Sequence, residues 1–192
     1  MDPINILIGI NIIAVFGANM PAAKKGFKSV VTEHREKPKS YLQQFPNTLA
    51  TLSLIALIVA VFQIGTFEYK SESDLIRLSA FAVYIIFSWV QIWVYKSLGD
   101  NYSQDVVIYK KHSLITSGPY KYIRHPQYAA QILVDIAAAF ATLSYVVLIL
   151  AIIEIPFLIK RGIFEDRLLQ KYFGEKFDNY KKKSGFLFPF LG

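Results

Sequence analysis

The sequence contains no cysteine, and charged residues make up only 18% of its 192 positions. Without cysteine the chain forms no disulfide and offers no thiolate for zinc, for an iron–sulfur cluster or for nucleophilic catalysis. Soluble domains contain about 25% charged residues, whereas this chain is 54% hydrophobic and has a mean hydropathy of +0.35. The composition therefore predicts a single membrane domain and argues against an ordinary soluble fold.

Four stretches of the chain are apolar enough to cross a membrane, for which a helix needs about 20 residues. They are residues 4–20, 45–67, 75–98 and 126–159. As one helix the fourth stretch would be about 51 Å long, which exceeds the ~30 Å thickness of a hydrocarbon core. We expect it to fold back at residues 142–144 as a short hairpin. The chain is thus predicted to be an all-α integral membrane protein with five transmembrane helices.

The net charge of +7 follows a pattern along the chain. All of the 21 basic residues except Lys70 and Arg77 lie in three segments, residues 21–44, 96–124 and 160–192. These segments fall on one side of a five-span topology, and Lys and Arg accumulate in cytoplasmic loops. We therefore expect the N-terminus outside and the C-terminus in the cytoplasm. No nucleic-acid partner is needed to explain the charge.

Residues 99–124 are too polar to enter the membrane and too long for a simple turn, and long ordered loops are usually functional. A short strand is expected at residues 106–109. The segment leads into Arg124, His125 and Pro126, and Pro126 suits the first position of a helix. The free amides at a helix start favour a carboxylate or a phosphate. The alternative is a basic cap that anchors the helix to lipid headgroups.

A second polar segment, residues 160–180, follows the last predicted span. Its apolar side chains recur at roughly helical spacing, which predicts an amphipathic C-terminal helix at the membrane surface. These side chains are Phe164, Leu168, Tyr172, Phe173, Phe177 and Tyr180. Arg161 and Glu165 are four residues apart and share a helix face. They either carry chemistry or form an intrahelical salt bridge worth about a few tenths of a kcal/mol.

Two carboxylic acids, Asp135 and Glu154, lie within the predicted hairpin. An unpaired carboxylate at that depth costs roughly several kcal/mol. Counted from the turn, the depths of the two acids differ by only about 4 to 5 Å, so they can face each other or a common cavity. They either face a substrate or are neutral and bonded to polar neighbours. His112 and His125 lack an apparent third ligand, so no metal site is expected.

From about residue 98 to residue 189 the order of motifs resembles the isoprenylcysteine carboxyl methyltransferase family. The wider group also contains integral-membrane phospholipid N-methyltransferases. The motifs are His112-Ser113-Leu114-Ile115-Thr116-Ser117-Gly118-Pro119-Tyr120, Ile123-Arg124-His125-Pro126-Gln127-Tyr128, a short hairpin, Arg161 with Glu165-Asp166, Phe173-Gly174-Glu175, and Tyr180-Lys181-Lys182. The N-terminal spans match only in hydrophobicity.

The resemblance implies an S-adenosylmethionine-dependent methyltransferase. Residues 1–98 would supply three spans, and residues 99–192 the methyltransferase core of loop, helical hairpin and C-terminal helix. The cofactor would lie between these three parts, in agreement with the lack of a Gly-x-Gly-x-x-Gly motif in the sequence. The implied cofactor-binding residues are His112, Ser113, Leu114, Ile115, Tyr120, His125, Pro126, Gln127, Tyr128 and Glu165.

The same resemblance implies individual roles. Arg161 would orient the acceptor group of the substrate. Glu165 would hold the ammonium or ribose of the cofactor, and the helix start at His125 would receive its carboxylate. Two positions depart from the family pattern: Asp105 stands where the family has a loop glutamine, and Glu165-Asp166 replaces a longer run of glutamates.

The expected acceptor is a lipid or a prenylated molecule whose tail enters sideways between helices from the surrounding membrane lipids. The carboxylate of an isoprenylcysteine-like substrate fits Arg161 and needs no general base at pH 7. The amine of phosphatidylethanolamine is the alternative and would need a proton acceptor, for which Asp135 and Glu154 are candidates. Two other classes are an NADPH-dependent reductase of the sterol-reductase type and a non-catalytic membrane subunit. The last would tolerate replacement of Arg161 and Glu165.

Overall fold

The computed structural model describes residues 2–29, 34–189 and 191–192. Within these ranges the helices are α1 (Pro3–Ser29), α2 (Phe45–Val61), α3 (Asp74–Leu98), α4 (Pro126–Thr142), α5 (Tyr145–Phe173) and α6 (Glu175–Lys181). Two short strands, β1 (His34–Glu36) and β2 (Ile108–Tyr109), pair in antiparallel fashion. Single 3-10 turns lie at Tyr41–Gln43, Ser71–Ser73, Gly99–Asn101 and Gly118–Lys121.

Three helical segments are long and apolar enough to cross a membrane: Pro3–Met20, Tyr41–Val61 and Ser71–Leu98. They overlap the first three predicted spans, although the second ends at Val61 and not at residue 67. This confirms the prediction of an all-α membrane protein. The count of five spans stays a prediction, because α4 has only 17 residues and α5 carries acidic and basic residues along its length. The position of the N-terminus outside the membrane also stays a prediction.

The predicted hairpin is present. Helix α4 ends at Thr142, and Leu143 adopts a left-handed conformation with φ 50° and ψ 32°. Ser144 then caps α5, since its hydroxyl accepts a hydrogen bond from the amide of Val147 at 3.3 Å. The fold-back at residues 142–144 is therefore confirmed, and it lays α4 and α5 antiparallel.

Helix α5 is longer than expected. It runs through the basic pair Lys160 and Arg161 and continues to Phe173, with Pro156 in its interior. The prediction of a separate amphipathic helix after the last span is wrong, because nothing near residue 160 interrupts the backbone. The first break comes at Gly174, whose φ of 50° favours glycine. The short α6 follows, and it is the last helix among the described residues.

The apolar core lies between the helices at the level of the hairpin. Helix α4 supplies small buried side chains there, which allow the neighbouring helices to approach closely. The buried core residues are Ile8, Leu57, Ala60, Val61, Tyr84, Ala137, Ala138, Ala139, Ala141 and Val147. The alanines of α4 occupy the side that faces this core. The polar side chains of α4 lie on its other sides, where they can line a cavity.

A buried ion pair joins α1, α3 and the end of α4. Arg77 is 2% exposed, and its two Nη atoms donate to the Asp2 carboxylate at 3.0 and 2.5 Å. Its Nε donates to the carbonyl of Ala141 at 3.1 Å, and its guanidinium lies 3.7 Å from the centre of the Tyr69 ring. Arg77, one of the two basic residues outside the three basic segments, is thus neutralised within the fold.

We expect Arg77→Ala to lower the free energy of unfolding by about 3–5 kcal/mol, because the Asp2 carboxylate loses its partner in a buried pair. Thermal and denaturant unfolding of the detergent-solubilised protein measure this change. Lys70→Ala is the matched control, since Lys70 is exposed and its removal should change stability by no more than about 0.5 kcal/mol. Equal effects of the two substitutions would contradict the stabilising role of the pair.

The segment before α2 braces the loop between α3 and α4. The side-chain amide of Gln43 donates to the carbonyl of Val106 at 2.9 Å and accepts from its N–H at 2.7 Å, as a neighbouring strand would. Lys37 pairs with Asp105 at 2.6 Å. The strand predicted at residues 106–109 is confirmed in its second half, whereas Val106 is held by a side chain.

Candidate active site

A cavity open to solvent lies where the loop between α3 and α4, the start of α4 and the second half of α5 meet, and we call it the loop cavity. The space in and in front of it amounts to about 870 Å³, part of which is open solvent. The predicted cofactor residues on its wall are His112, Ser113, Leu114, Ile115, Tyr120, His125, Gln127, Tyr128 and Glu165. Pro126 is not on the wall and is buried at the start of α4. The fold thus brings two motifs far apart in the sequence to one place.

His125 sits between two carboxylates. Its Nε2 lies 2.9 Å from Asp166 Oδ1, and its Nδ1 lies 3.4 Å from Glu165 Oε2. The ring is 4% exposed and stacks on Tyr128 with ring centres 5.5 Å apart. Since both ring nitrogens face carboxylates, the doubly protonated imidazolium satisfies this arrangement best.

The electrostatics of this trio follow from the same contacts. Burial alone would lower the pKa of His125, but its hydrogen bonds to Asp166 and Glu165 outweigh burial and raise that pKa. Burial acts in the opposite direction on the two acids, and their hydrogen bonds to His125 outweigh it, so the pKa values of Glu165 and Asp166 lie below their usual range. At neutral pH both acids are ionised.

We expect thermal stability to reach a maximum at a pH between the ordinary pKa values of the two acids and that of histidine. It should fall at lower and at higher pH. The raised pKa of His125 contributes stability in full below its ordinary value of 6.5, and this is lost as pH rises through the folded value. The lowered pKa values of Glu165 and Asp166 contribute stability above 4.5 and 3.8, and this is lost as pH falls through the folded values. Melting curves across pH measure both limbs, and an alkaline limb that persists unchanged in His125→Gln would contradict the assignment to His125.

Arg124 connects the C-terminal residues to the start of α4 by hydrogen bonds. Its Nε donates to Asp166 Oδ2 at 3.1 Å, and its two Nη atoms donate to the carbonyls of Ser184 at 2.5 Å and Gly192 at 3.1 Å. The backbone amide of Arg124 adds a bond to the carbonyl of Gly185 at 2.8 Å. Sequence reasoning treated Arg124 only as part of a basic helix start and missed this role, because its partners are distant in the sequence.

Gly162 allows the C-terminal segment to pack closely beside His125. A Cβ on Gly162 would lie 2.8 Å from Cζ of Phe186 and 3.2 Å from Cδ2 of His125. The Phe186 and His125 rings are themselves in edge contact, with centres 4.9 Å apart. The absence of a side chain at Gly162 therefore lets Phe186 cover the imidazolium, a role that the sequence alone did not indicate.

Glu165 is the charged group that joins the trio to the rest of the site. One of its oxygens accepts a short hydrogen bond from the Tyr128 hydroxyl and lies 3.5 Å from Arg161 Nε. Its side chain is 24% exposed and lines the loop cavity. The i, i+4 pair with Arg161 is thus present, but it is one contact of a larger network.

His112 lies on the opposite wall of the loop cavity. It stacks on Tyr109 and meets Phe173, with both pairs of ring centres 6.0 Å apart. Its Nδ1 is buried and has no hydrogen-bond partner among the described residues. Burial lowers the pKa of His112, so the ring is neutral at pH 7. An unpartnered nitrogen on a cavity wall is suited to a polar group of a ligand.

A second and larger cavity, the helix cavity, lies between α1, α2, α3, α4 and α5, and the space in and in front of it amounts to about 1460 Å³. Apolar residues from α1 and α2 form one part of its wall, including Val15, Phe16 and Leu54. Gln127 and Tyr128 line both cavities. The two cavities are therefore neighbours that meet at the first turn of α4.

Arg161 lines the helix cavity and does not line the loop cavity. It is 4% exposed. One Nη donates to Asn47 Oδ1 at 2.9 Å, and the other donates to the backbone carbonyl of Gln104. Its guanidinium lies 5.9 Å from the centre of the Tyr128 ring. Asn47 and Gln104 were not identified from the sequence, because neither lies in a motif.

Three other acids are now placed. Asp105 lines the loop cavity while its carboxylate pairs with Lys37 at the surface. Asp135 and Glu154 both line the helix cavity, where their carboxyl groups lie within hydrogen-bonding reach of each other. The expectation that these two acids share a cavity is confirmed. Among the described residues no cluster of His, Asp and Glu is suited to a metal ion.

Comparison with known proteins supports a methyltransferase. Residues 80–171 match the model of the isoprenylcysteine carboxyl methyltransferase family. The match begins at residue 80, inside α3, whereas the motifs that carry the resemblance begin at about residue 98. Methanethiol S-methyltransferase from Crocosphaera subtropica is 23% identical over 201 residues, which cover 97% of this chain and 76% of that protein. The resemblance is thus confirmed over residues 80–171, where the chain is similar to the isoprenylcysteine carboxyl methyltransferase family.

Proposed function

We propose that this protein transfers a methyl group from S-adenosylmethionine to an acceptor dissolved in the membrane. The observation that carries the proposal is the pair of cavities that share Gln127 and Tyr128. The loop cavity lies beside the polar loop between α3 and α4, whereas the helix cavity lies between the helices α1 to α5, and both have polar as well as apolar side chains on their walls. A water-soluble donor and an apolar acceptor can therefore approach the same wall from opposite sides.

The groups around the loop cavity fit the chemistry of S-adenosylmethionine. The carboxylate of Glu165 suits an ammonium group or ribose hydroxyls. The first-turn amides of Gln127 and Tyr128 suit a carboxylate, since α4 has no side-chain cap there. The unpartnered Nδ1 of His112 offers one further polar contact, and Leu114 adds apolar wall.

When bound, S-adenosylmethionine supplies an electrophilic methyl group on its sulfonium. In a displacement of this kind the attacking atom, the methyl carbon and the sulfur must be in line, so positioning is what the protein contributes. Tyr128 is fixed by its hydrogen bond to Glu165 and by stacking on His125. These contacts hold the shared wall rigid where the two cavities meet.

Arg161 supports a carboxylate as the acceptor group. Its Nε faces Glu165, and one N–H of each Nη bonds to Asn47 or Gln104. A guanidinium has five N–H groups, so two remain for a carboxylate in the helix cavity. A carboxylate is nucleophilic at pH 7, and no general base is required. An isoprenylcysteine-like lipid at the cytoplasmic face combines this carboxylate with a tail that can leave between α1 and α2.

Two other acceptor groups have a specific observation in their favour. The acid pair Asp135 and Glu154 lines the helix cavity, which suits the amine of phosphatidylethanolamine. The relative from Crocosphaera subtropica is named for a thiol acceptor, which makes a thiol the other candidate. NADPH-dependent reduction gains no support from the cavities.

Transfer of labelled methyl from S-adenosylmethionine tests the proposal. The purified protein in lipid nanodiscs would be given a prenylated cysteine, phosphatidylethanolamine or an alkanethiol in separate reactions. We expect label in a base-labile methyl ester of the prenylated cysteine. Label in the lipid amine or in a thioether would overturn the carboxylate assignment, and no label in any acceptor would overturn methyl transfer to these classes.

A further inference from the structure

The helix cavity has two polar levels. Tyr128 and Arg161 form the outer level, next to the loop cavity. Asp135 and Glu154 form the inner level. Asp135 is seven positions from Tyr128 on α4, and Glu154 is seven positions from Arg161 on the antiparallel α5. In each helix the two residues therefore lie on the same face, two turns apart. At 1.5 Å per residue the levels are separated by about 10 Å.

The inner level has too few hydrogen-bond donors for its four carboxyl oxygens. Glu154 is 2% exposed, and neither of its oxygens has a partner among the described residues. Asp135 accepts one bond, from Gln131 Nε2 at 2.8 Å, and Gln131 Oε1 accepts from Gln91 Nε2 at 2.6 Å. A proton shared between the two carboxyl groups would satisfy at most one Glu154 oxygen. The other oxygen is buried and remains without a donor.

The inner level also lacks a counter-ion. Arg161 is the single basic side chain on the described wall of the helix cavity, and it belongs to the outer level. With one shared proton the acid pair carries a net charge of about −1. One ammonium group would neutralise that charge and supply the missing donor, whereas a hydrocarbon tail would do neither.

We propose that Asp135 and Glu154 form a recognition subsite for an amino group of the acceptor, located two helical turns from the atom that is methylated. The inference rests on the proposed function, since it takes the helix cavity as the acceptor site. It specifies an acceptor that carries an amine about 10 Å from its reactive group, in addition to the α-amino group that an isoprenylcysteine has next to its carboxylate. An apolar tail of such a molecule leaves sideways past Phe16 and Leu54 and does not fill the inner level.

The test compares the binding of octanoate and ω-aminooctanoate to the full chain in phosphatidylcholine nanodiscs. The extended amino compound places its nitrogen about 10 Å from its carboxyl carbon, at about 1.2 Å per bond. We expect ω-aminooctanoate to bind about ten- to a hundredfold more tightly, as for a hydrogen bond to a charged group. Glu154→Gln and Asp135→Asn should abolish this preference without weakening the binding of octanoate.

Glu72→Gln is the matched control, because Glu72 is exposed and lines neither cavity, and it should keep the preference. Equal or weaker binding of the amino compound, or a preference that survives in both inner-level variants, would overturn the subsite. Failure of both probes to bind would overturn it as well. Nanodiscs that contain phosphatidylethanolamine should weaken binding of the amino compound if the amine belongs to a lipid headgroup, and should leave it unchanged if the amine belongs to another molecule.

Titration of the same samples with S-adenosylhomocysteine separates the two proposals. Retained binding in the inner-level variants shows that the loop cavity is intact, so a missing amine preference then refutes the subsite alone. If the wild-type protein does not bind S-adenosylhomocysteine, the proposed function fails, while the amine preference is still judged by its own titration.

Discussion

Glu165→Gln should weaken the binding of S-adenosylhomocysteine by about ten- to a hundredfold, because a hydrogen bond to a charged group contributes about 1.5–3 kcal/mol. The glutamine keeps the shape of the side chain but removes the negative charge from the wall of the loop cavity. It also removes a carboxylate from His125. Isothermal titration calorimetry of the detergent-solubilised protein measures the change in affinity.

Two variants show whether this effect is local. Glu175→Gln alters an exposed acid in the first turn of α6 and should leave the affinity unchanged. Asp166→Asn removes the other partner of His125, but Asp166 does not line either cavity. We expect it to lower the melting temperature with a smaller effect on affinity. An unchanged affinity in Glu165→Gln would show that this carboxylate does not hold the cofactor.

Arg161→Ala should reduce kcat by at least about a hundredfold, the scale expected when a reacting group is misplaced by about 1 Å. The affinity for S-adenosylhomocysteine should be largely kept, because Arg161 lines the helix cavity and not the loop cavity. Replacing Glu165 should thus weaken cofactor binding, and replacing Arg161 should slow turnover. This is the division of roles that the two cavities imply. Methyl-transfer kinetics and calorimetry on the same preparation measure both quantities.

The controls for Arg161 separate chemistry from folding. Arg167→Ala removes an exposed arginine from the same helix and should change neither quantity. Arg161→Lys keeps the charge but loses the planar fork that bonds Asn47 and Gln104, so it should remain impaired. A parallel loss of cofactor affinity and turnover in Arg161→Ala would contradict the division of roles.

The length of one apolar stretch was enough to predict the hairpin, and the family resemblance named nine of the residues that line the loop cavity. The turn at residues 142–144 follows from the length of the apolar stretch against the thickness of a bilayer. His112 and Glu165 were named from their places in short motifs, and the fold brings both to one cavity wall. Their role in cofactor binding stays a prediction until a ligand is titrated.

Contacts between distant segments were not predictable in the same way. Gln43, Asn47 and Gln104 carry no motif, yet they hold the loop and Arg161 in place. The continuous α5 was missed because the basic pair near residue 160 was taken as the end of a membrane span, although charge does not break a helix. Such features depend on which elements meet in space, and one sequence gives no signal for that.

We propose that the loop cavity binds S-adenosylmethionine. Calorimetric titration of the purified, detergent-solubilised protein with S-adenosylhomocysteine, with NADPH as the competing ligand, tests this binding. We expect micromolar binding of S-adenosylhomocysteine alone, at about −8 kcal/mol, and its loss in Glu165→Ala. No binding of S-adenosylhomocysteine by a folded sample, or binding of NADPH in its place, would show that the loop cavity is not a site for S-adenosylmethionine.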